Sequence, residues 1–388
     1  MAKAKQNQNI IDTESKSARA EMLAGDVLSA LNTQFKKDYN DPIVYLSQAN
    51  LAKAWCPTGS DMLDLAISNR ANGGMPYGFI LEIFGPSGSS KSLMAAHLMA
   101  SCQKQNGLTV LFDTENAVGV LDFYMSIGLD PEKTIYTDKL RAIEDVYAAM
   151  ESIILKTLER DPERPVVIVI DSVMGATTHL ELESDYEKEG WATAKAIVNS
   201  KAMRKIPSLI AGRNILIVLI NQVRDNMNAM VGSNPFVTSG GKAIGFTASV
   251  RLQTKVISRS SKNMDGETVE VTVVKNRFGP PRKSVKFEIR YDSGIDNYGS
   301  WFYALKEFDL IKPAGSAGHT YEYIDVETGE LVAVKFREAT FSQFIEKNPK
   351  VKDIIYQHLC DNFILKYKFN AITDDGTNDV QVEHTGNL

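Results

Sequence analysis

Four strand-length apolar runs mark the first two thirds of the chain: Phe79–Phe84, Leu108–Phe112, Val166–Ile170 and Ile215–Ile220. They are rich in β-branched residues and separated by helical patterns at Leu93–Cys102 and about residues 142–158. Near-continuous apolar strands with helices between them predict a parallel sheet covered on both faces. From Ser249 onward the pattern changes. Val250–Ile257, Thr268–Val274 and Val285–Tyr291 alternate or are β-rich, which predicts antiparallel strands extending the sheet. The expected fold class is therefore α/β, a mostly parallel sheet with an antiparallel extension.

Upstream, Met22, Leu23, Val27, Leu28, Leu31 and Phe35 recur at helical spacing within 18–37. Asn40-Asp41-Pro42 breaks that helix, and Ile43, Val44, Tyr45 and Leu46 read as a short strand. A lone helix and strand cannot bury their own apolar face. They either fold back on the main domain or pack on a neighbouring subunit, the strand adding to its sheet edge. The run Pro57-Thr58-Gly59-Ser60 is expected to cap a helix over Asp61–Ser68. The expected organisation is a flexible 1–17, an arm over 18–56, a core over 57–330, a small α-rich module over 331–371 and an acidic, disordered tail over 372–388.

The run Gly85-Pro86-Ser87-Gly88-Ser89-Ser90-Lys91-Ser92 lies between the first strand and a helix. This is the layout of a phosphate-binding loop, whose N–H groups and helix N-terminus face the phosphates. Lys91 would reach the β- and γ-phosphates, and Ser92 would help hold Mg²⁺. The motif asks for glycine at position 90, where this chain has Ser90.

The chain has 388 residues, 44% hydrophobic and 23% charged, with net charge −5. Any nucleic-acid binding must then come from local basic patches. Cys56, Cys102 and Cys360 show no metal-ligand spacing, which fits a reducing compartment. No apolar run reaches about 18 residues, and the N-terminus lacks a signal-peptide core, so the expected location is the cytoplasm, without membrane attachment.

Ligands of open parallel sheets bind at the carboxyl ends of the strands. Glu115, Asp171 and Gln222 stand at such ends. Asp171 is the candidate Mg²⁺ ligand, Glu115 the candidate base for the attacking water, and Gln222 a candidate γ-phosphate sensor. The segment after Gln222, Arg224 to Gly241, is long, polar and Gly-rich, with no secondary-structure pattern. Its Arg224, Met230, Val231 and Phe236, with Ser239, Gly240, Gly241 and Lys242 at its close, suit a grip on single-stranded nucleic acid. Lys201 and Arg204 supply further positive charge, or are simply a solvated helix face.

At this point the chain resembles the RecA family of homologous-recombination ATPases, and among them phage recombinases of the UvsX type. The resemblance covers about residues 20–325. It rests on Gly74-Met75-Pro76-Tyr77-Gly78, Asp113-Thr114-Glu115, Ile170-Asp171-Ser172-Val173, Ile220-Asn221-Gln222-Val223-Arg224, and above all Ser239-Gly240-Gly241-Lys242-Ala243 with Ala248-Ser249-Val250-Arg251-Leu252. The resemblance implies a RecA-type core that uses ATP and Mg²⁺. It implies a helical filament on single-stranded DNA that pairs with double-stranded DNA and exchanges strands. A single-strand-binding protein and a mediator are the implied partners, and a phage member would act in its bacterial host's cytoplasm. Lys275 and Arg277, in Val273-Val274-Lys275-Asn276-Arg277, resemble the basic pair that reaches the neighbour's γ-phosphate. Phe123 or Tyr124 resembles the aromatic packed on adenine. Residues Ile43 to Leu46 resemble the polymerisation strand. A hexameric helicase of the same core fold and a non-catalytic mediator are the rival functions.

Overall fold

The computed structural model describes residues 19, 22–36, 42–46, 52–184, 191–225, 236–238, 240–259, 266–315, 318–367, 369–370 and 381–382. It divides into two units, Met1–Leu51 and Ala52–Leu388. In the first unit, residues 22–35 form helix α1. The expected strand over Ile43–Leu46 is not formed. The Asn32 side chain takes both backbone groups of Ile43: its Nδ2 donates to the carbonyl at 2.9 Å and its Oδ1 accepts from the N–H at 2.7 Å. A strand would need those two groups for a partner. Ile43, Val44, Tyr45 and Leu46 are all exposed. Residues 1–17 lie outside the described residues, as does the acidic tail apart from 381–382.

In the second unit, β1 (Trp55–Cys56), α2 (Asp61–Ser68) and β2 (Met75–Pro76) lead into β3 (Ile80–Gly85) and α3 (Lys91–Lys104). The Ser60 side chain caps α2 as its sequence predicts. There follow β4 (Leu108–Asp113), α4 (Leu121–Ser126), β5 (Thr134–Thr137), α5 (Ile143–Arg160), β6 (Val166–Asp171), the one-turn α6 (His179–Leu182) and α7 (Trp191–Ile210). Then come β7 (Ile215–Asp225), β8 (Phe236–Thr238), α8 (Ala243–Thr247), β9 (Val250–Arg259), β10 (Gly266–Asn276), β11 (Ser284–Arg290), β12 (Gly294–Ile295) and α9 (Asn297–Glu307).

The described residues build one ten-stranded sheet in the order β12-β11-β10-β9-β3-β7-β6-β4-β5, with β8 on the extension of β7. Successive residues of its central strands enter opposite cores. Val167, Val169, Leu216, Val218 and Ile220 face α2, α3 and α9, whereas Val166, Ile168, Ile170, Ile215, Ile217 and Leu219 face α5 and α7. This two-sided burial is what the continuous apolar runs require.

One expectation is corrected here. β9 joins β3 in parallel, from Leu81 opposite Val250 to Phe84 opposite Gln253; β10, β11 and β12 alone make the antiparallel extension. The crossover through α8 returns the chain to the sheet in the same direction, which alternation along the strand does not reveal. The segment 331–371 combines one strand with two helices. It opens with β15 (Leu331–Arg337), the third strand of a small sheet with β13 (Ile311–Pro313) and β14 (Gly318–Ile324). Its helices, α10 (Phe341–Lys347) and α11 (Pro349–Phe363), put Phe341, Ile345, Ile355 and Leu359 into the same core as Trp301 and Phe302 of α9. Among the described residues, no helix is long and apolar enough to cross a membrane.

His97 on α3 is wedged against two glycines: a Cβ on Gly59 would lie 2.8 Å from its Nδ1, and one on Gly294 2.4 Å from its Nε2. The Ile295 N–H donates to that Nε2 at 3.1 Å, so the nitrogen must be unprotonated. Burial, with Lys104 nearby, pulls the imidazole down to about 4. The unfolded chain takes up a proton near 6.5 and the folded one does not, so this stability is present above pH 6.5 and lost as pH falls towards 4. Denaturant unfolding at pH 7.5 and 4.5 is expected to show roughly 2.5 kcal/mol more loss in wild type than in His97→Gln.

Candidate active site

Gly85 ends β3, residues 86–90 form a loop, and Lys91 and Ser92 begin α3. The loop is held in shape from inside. The Lys91 ammonium donates to the Pro86 carbonyl at 2.6 Å, and the Ser89 hydroxyl to the same carbonyl at 2.7 Å. The Ser89 hydroxyl also lies 2.7 Å from that of Thr254 on β9. Burial pulls the Lys91 ammonium below its ordinary range, against the Asp171 and Glu115 carboxylates, which hold it up.

Beside the loop, the carboxyl ends of β4, β6 and β7 converge. Asp171, the last residue of β6, is pushed up to about 6 by burial; the Ser92 hydroxyl holds it down, while Glu115 and Asp113 raise it. The backbone N–H groups of Thr114 and Glu115 donate to the Asp171 carbonyl at 2.8 and 3.4 Å, which sets Glu115 against β6. Glu115 Oε1 accepts from Gln222 Nε2 at 2.8 Å and from the Ser172 hydroxyl. Thus two strand ends, 107 positions apart, meet at one carboxylate oxygen.

A cleft of about 680 Å³ opens here, lined by Ser87 to Ser92 of the loop and by Glu115, Asp171 and Gln222. Of the two candidate aromatics, Phe123 lines it. Tyr124 does not; its ring meets the edge of Phe123 at 5.5 Å, and burial pushes its phenol up to about 12. Arg259, Glu267 and Tyr291 close the far wall. Sequence reasoning missed these three, although Glu267 left a signal: it stands in phase with the buried Val269, Val271 and Val273 of β10.

A model of the RecA N-terminal domain matches residues 25–296. Protein RecA of Treponema denticola is 33% identical over 319 residues, covering 80% of this chain and 73% of that protein. Protein RecA of Caldanaerobacter subterraneus is 32% identical over 314 residues, 80% of this chain and 85% of that protein. Protein RecA of Campylobacter jejuni is 29% identical over 320 residues, 82% and 87% respectively. The chain belongs to the RecA family. It is an ATP-dependent recombinase and a DNA-dependent ATPase, from a family that binds nucleotide and DNA and forms filaments.

Two of this RecA-family chain's expected site residues lie away from its own cleft. The Lys275 ammonium caps α8, donating to the carbonyls of Gly245 at 3.1 Å and Phe246 at 2.6 Å, and Arg277 is exposed just past β10. Burial, with Arg277 and Arg251 close by, lowers the Lys275 ammonium from its ordinary range.

The segment expected to lack regular structure after Gln222 begins as a hairpin. β7 continues to Asp225, and Val223, Arg224 and Asp225 pair with Thr238, Val237 and Phe236 of β8. The β-branched and aromatic residues flanking the polar centre permit this ladder. Only the backbone of Arg224 and Phe236 is described, and Met230, Val231 and Ser239 lie outside the described residues. The hairpin's exit is anchored by the buried Asn199 of α7, whose Nδ2 donates to the Gly240 carbonyl at 2.9 Å while its Oδ1 accepts from the Tyr147 hydroxyl at 2.9 Å. Gly240 has φ 85°, and a Cβ there would lie 2.7 Å from Asn199 Nδ2, so glycine is needed twice over. Lys242 follows, exposed. Lys201 and Arg204 are also exposed, but at about 100° per residue they sit roughly 160° and 140° around α7 from Asn199. The structure does not bring them to the hairpin.

Asn199→Ala removes both hydrogen bonds of a buried amide and leaves the Tyr147 hydroxyl without its acceptor. It is expected to lower unfolding free energy by about 2 kcal/mol and to weaken single-stranded DNA binding, while nucleotide affinity stays within about twofold. Denaturation curves, fluorescence anisotropy and nucleotide titration check the three parts.

Proposed function

We propose that the cleft binds ATP with Mg²⁺ and that the protein polymerises on single-stranded DNA to carry out homologous pairing and strand exchange. The observation that carries this reading is the 2.8 Å hydrogen bond from Gln222 to Glu115. It joins a carboxylate beside the phosphate loop to the strand that runs on into the β7–β8 hairpin. One residue then has access to both nucleotide and DNA segment, which is what DNA-dependent hydrolysis needs.

The donor set suits the ligands. A helix N-terminus, Lys91 and the loop N–H groups present positive potential to phosphates. Ser92 and Asp171 would hold Mg²⁺, which takes one or two protein oxygens beside substrate phosphates and supplies charge neutralisation at the phosphoryl oxygens. Burial has raised Asp171, and a cation against it would restore the ionised form. Glu115 would orient and deprotonate the attacking water. Phe123 would pack on the base.

Gln222 would exchange its Glu115 contact for the γ-phosphate and so set the hairpin that leads to Arg224, Met230, Val231 and Phe236, with Gly240, Gly241 and Lys242 at its exit. Lys275 and Arg277 would act on the nucleotide of the adjacent subunit, since neither reaches the cleft of its own chain. The arm fits the same assembly: its exposed Ile43, Val44, Tyr45 and Leu46 are an apolar segment that would become a strand on a neighbour's sheet edge once Asn32 releases Ile43. Loading on DNA through a single-strand-binding protein and a mediator belongs to this reading as well.

Glu115→Gln keeps a side chain of the same shape that can no longer take a proton. It is expected to cut DNA-stimulated hydrolysis by at least about 100-fold while retaining ATP binding and ATP-dependent filaments on single-stranded DNA. Hydrolysis within about threefold of wild type would remove Glu115 from the catalytic role. Filaments that fail to form despite bound ATP would remove the assembly reading.

A further inference from the structure

Position 90 is the point where this loop departs from the usual motif, and the structure gives the serine a partner. Ser90 has φ 61° and ψ 24°, a left-handed conformation that glycine adopts freely and an L side chain does not. Its hydroxyl donates to Glu267 Oε1 at 2.5 Å. Glu267 is 6% exposed, on β10, and its other oxygen faces the Arg259 guanidinium at 3.7 Å and the Tyr291 hydroxyl at 3.5 Å. The carboxylate is therefore not free to swing: one oxygen holds the loop, and two side chains from β9 and the end of β11 hold the other.

We infer that Glu267 is a positioning residue for the phosphate loop, latching Ser90 in the left-handed conformation that a glycine would otherwise supply. The hydrogen bond from a hydroxyl to a largely buried carboxylate is of the stronger, charge-assisted kind. It is made by the one loop side chain whose backbone needs support, and Ser90 is the residue just before Lys91. If the latch lets go, the residue can relax to negative φ, and the N–H groups and Lys91 that follow it turn with it. The pair is also a bridge between layers. Ser89 fastens the loop to β9 and Ser90 fastens it to β10, the strand that carries Lys275 and leads into Arg277.

This inference rests on the proposal that the cleft binds nucleotide, and the test separates the two. Affinity for a fluorescent ADP analogue is measured by titration on the full chain, in the absence of DNA. Wild type should bind and Lys91→Ala should bind at least about tenfold more weakly; equal binding by both would overturn the cleft assignment itself. With that established, Glu267→Ala is expected to weaken binding about fivefold in the Ser90 background, equivalent to about 1 kcal/mol at 1.4 kcal/mol per tenfold. In the Ser90→Gly background the same change should cost less than about twofold, because glycine holds the conformation unaided.

Ser90→Ala, which keeps the Cβ and loses the hydroxyl, should bind about fivefold more weakly than Ser90→Gly. That comparison stands even if Glu267→Ala does not fold. Equal losses from Glu267→Ala in both backgrounds would overturn the latch, as would Ser90→Ala binding as tightly as Ser90→Gly.

Discussion

The candidate site depends on holding one loop, Gly85 to Ser92, in a single shape between β3 and α3. The Lys91 and Ser89 side chains tie the loop to its own Pro86 carbonyl, and the rest of its support comes from neighbouring strands. The strand order supplies the support. β9 lies directly beside β3, so Thr254 meets Ser89; β10 lies one strand further, so Glu267 reaches Ser90. The late strands β9 and β10 are thus not an ornament on the central sheet. They form the wall against which its loop is braced.

Beneath that loop sits a buried charge. Glu82 of β3 is fully buried and accepts from the Arg251 guanidinium of β9 at 2.5 Å and from Asn221 Nδ2 of β7 at 3.1 Å. Arg251 in turn covers the ring of Phe84. Losing one partner of such a buried pair costs about 3–5 kcal/mol, so the three strands are tied in one register. Asn221 also accepts from the Gln222 N–H at 3.0 Å. Gln222 is therefore mounted on the same polar knot that fixes the strand leading into the Gly85–Ser92 loop.

Much of this was legible in the chain before folding. The apolar runs place β3, β4 and β6 to within one residue, because burial on both faces leaves little freedom of composition, whereas β7 runs five residues past its apolar run to Asp225. The loop, Glu115, Asp171 and Gln222 were legible because strand ends in a parallel sheet point one way, and the structure gathers Ser87 to Ser92 and those three side chains around one cleft. What was missed depends on pairing rather than pattern. The direction of β9 is set by a five-residue crossover helix, and the hairpin of β7 and β8 by a ladder across residues distant in sequence. Phe123 over Tyr124 is a matter of which ring faces in from a short helix. Glu267 was overlooked because a single carboxylate among alternating valines looks like an interruption. It is read correctly only when Ser90 is seen opposite.

The central claim is that nucleotide chemistry in this cleft answers to DNA and to a neighbouring copy of the chain. The most direct measurement is the rate of ATP hydrolysis per subunit, with and without single-stranded DNA, at two protein concentrations well apart. The account predicts strong stimulation by DNA and a specific activity that rises with protein concentration, since Lys275 and Arg277 lie outside their own chain's cleft. A rate indifferent to both DNA and concentration would contradict it.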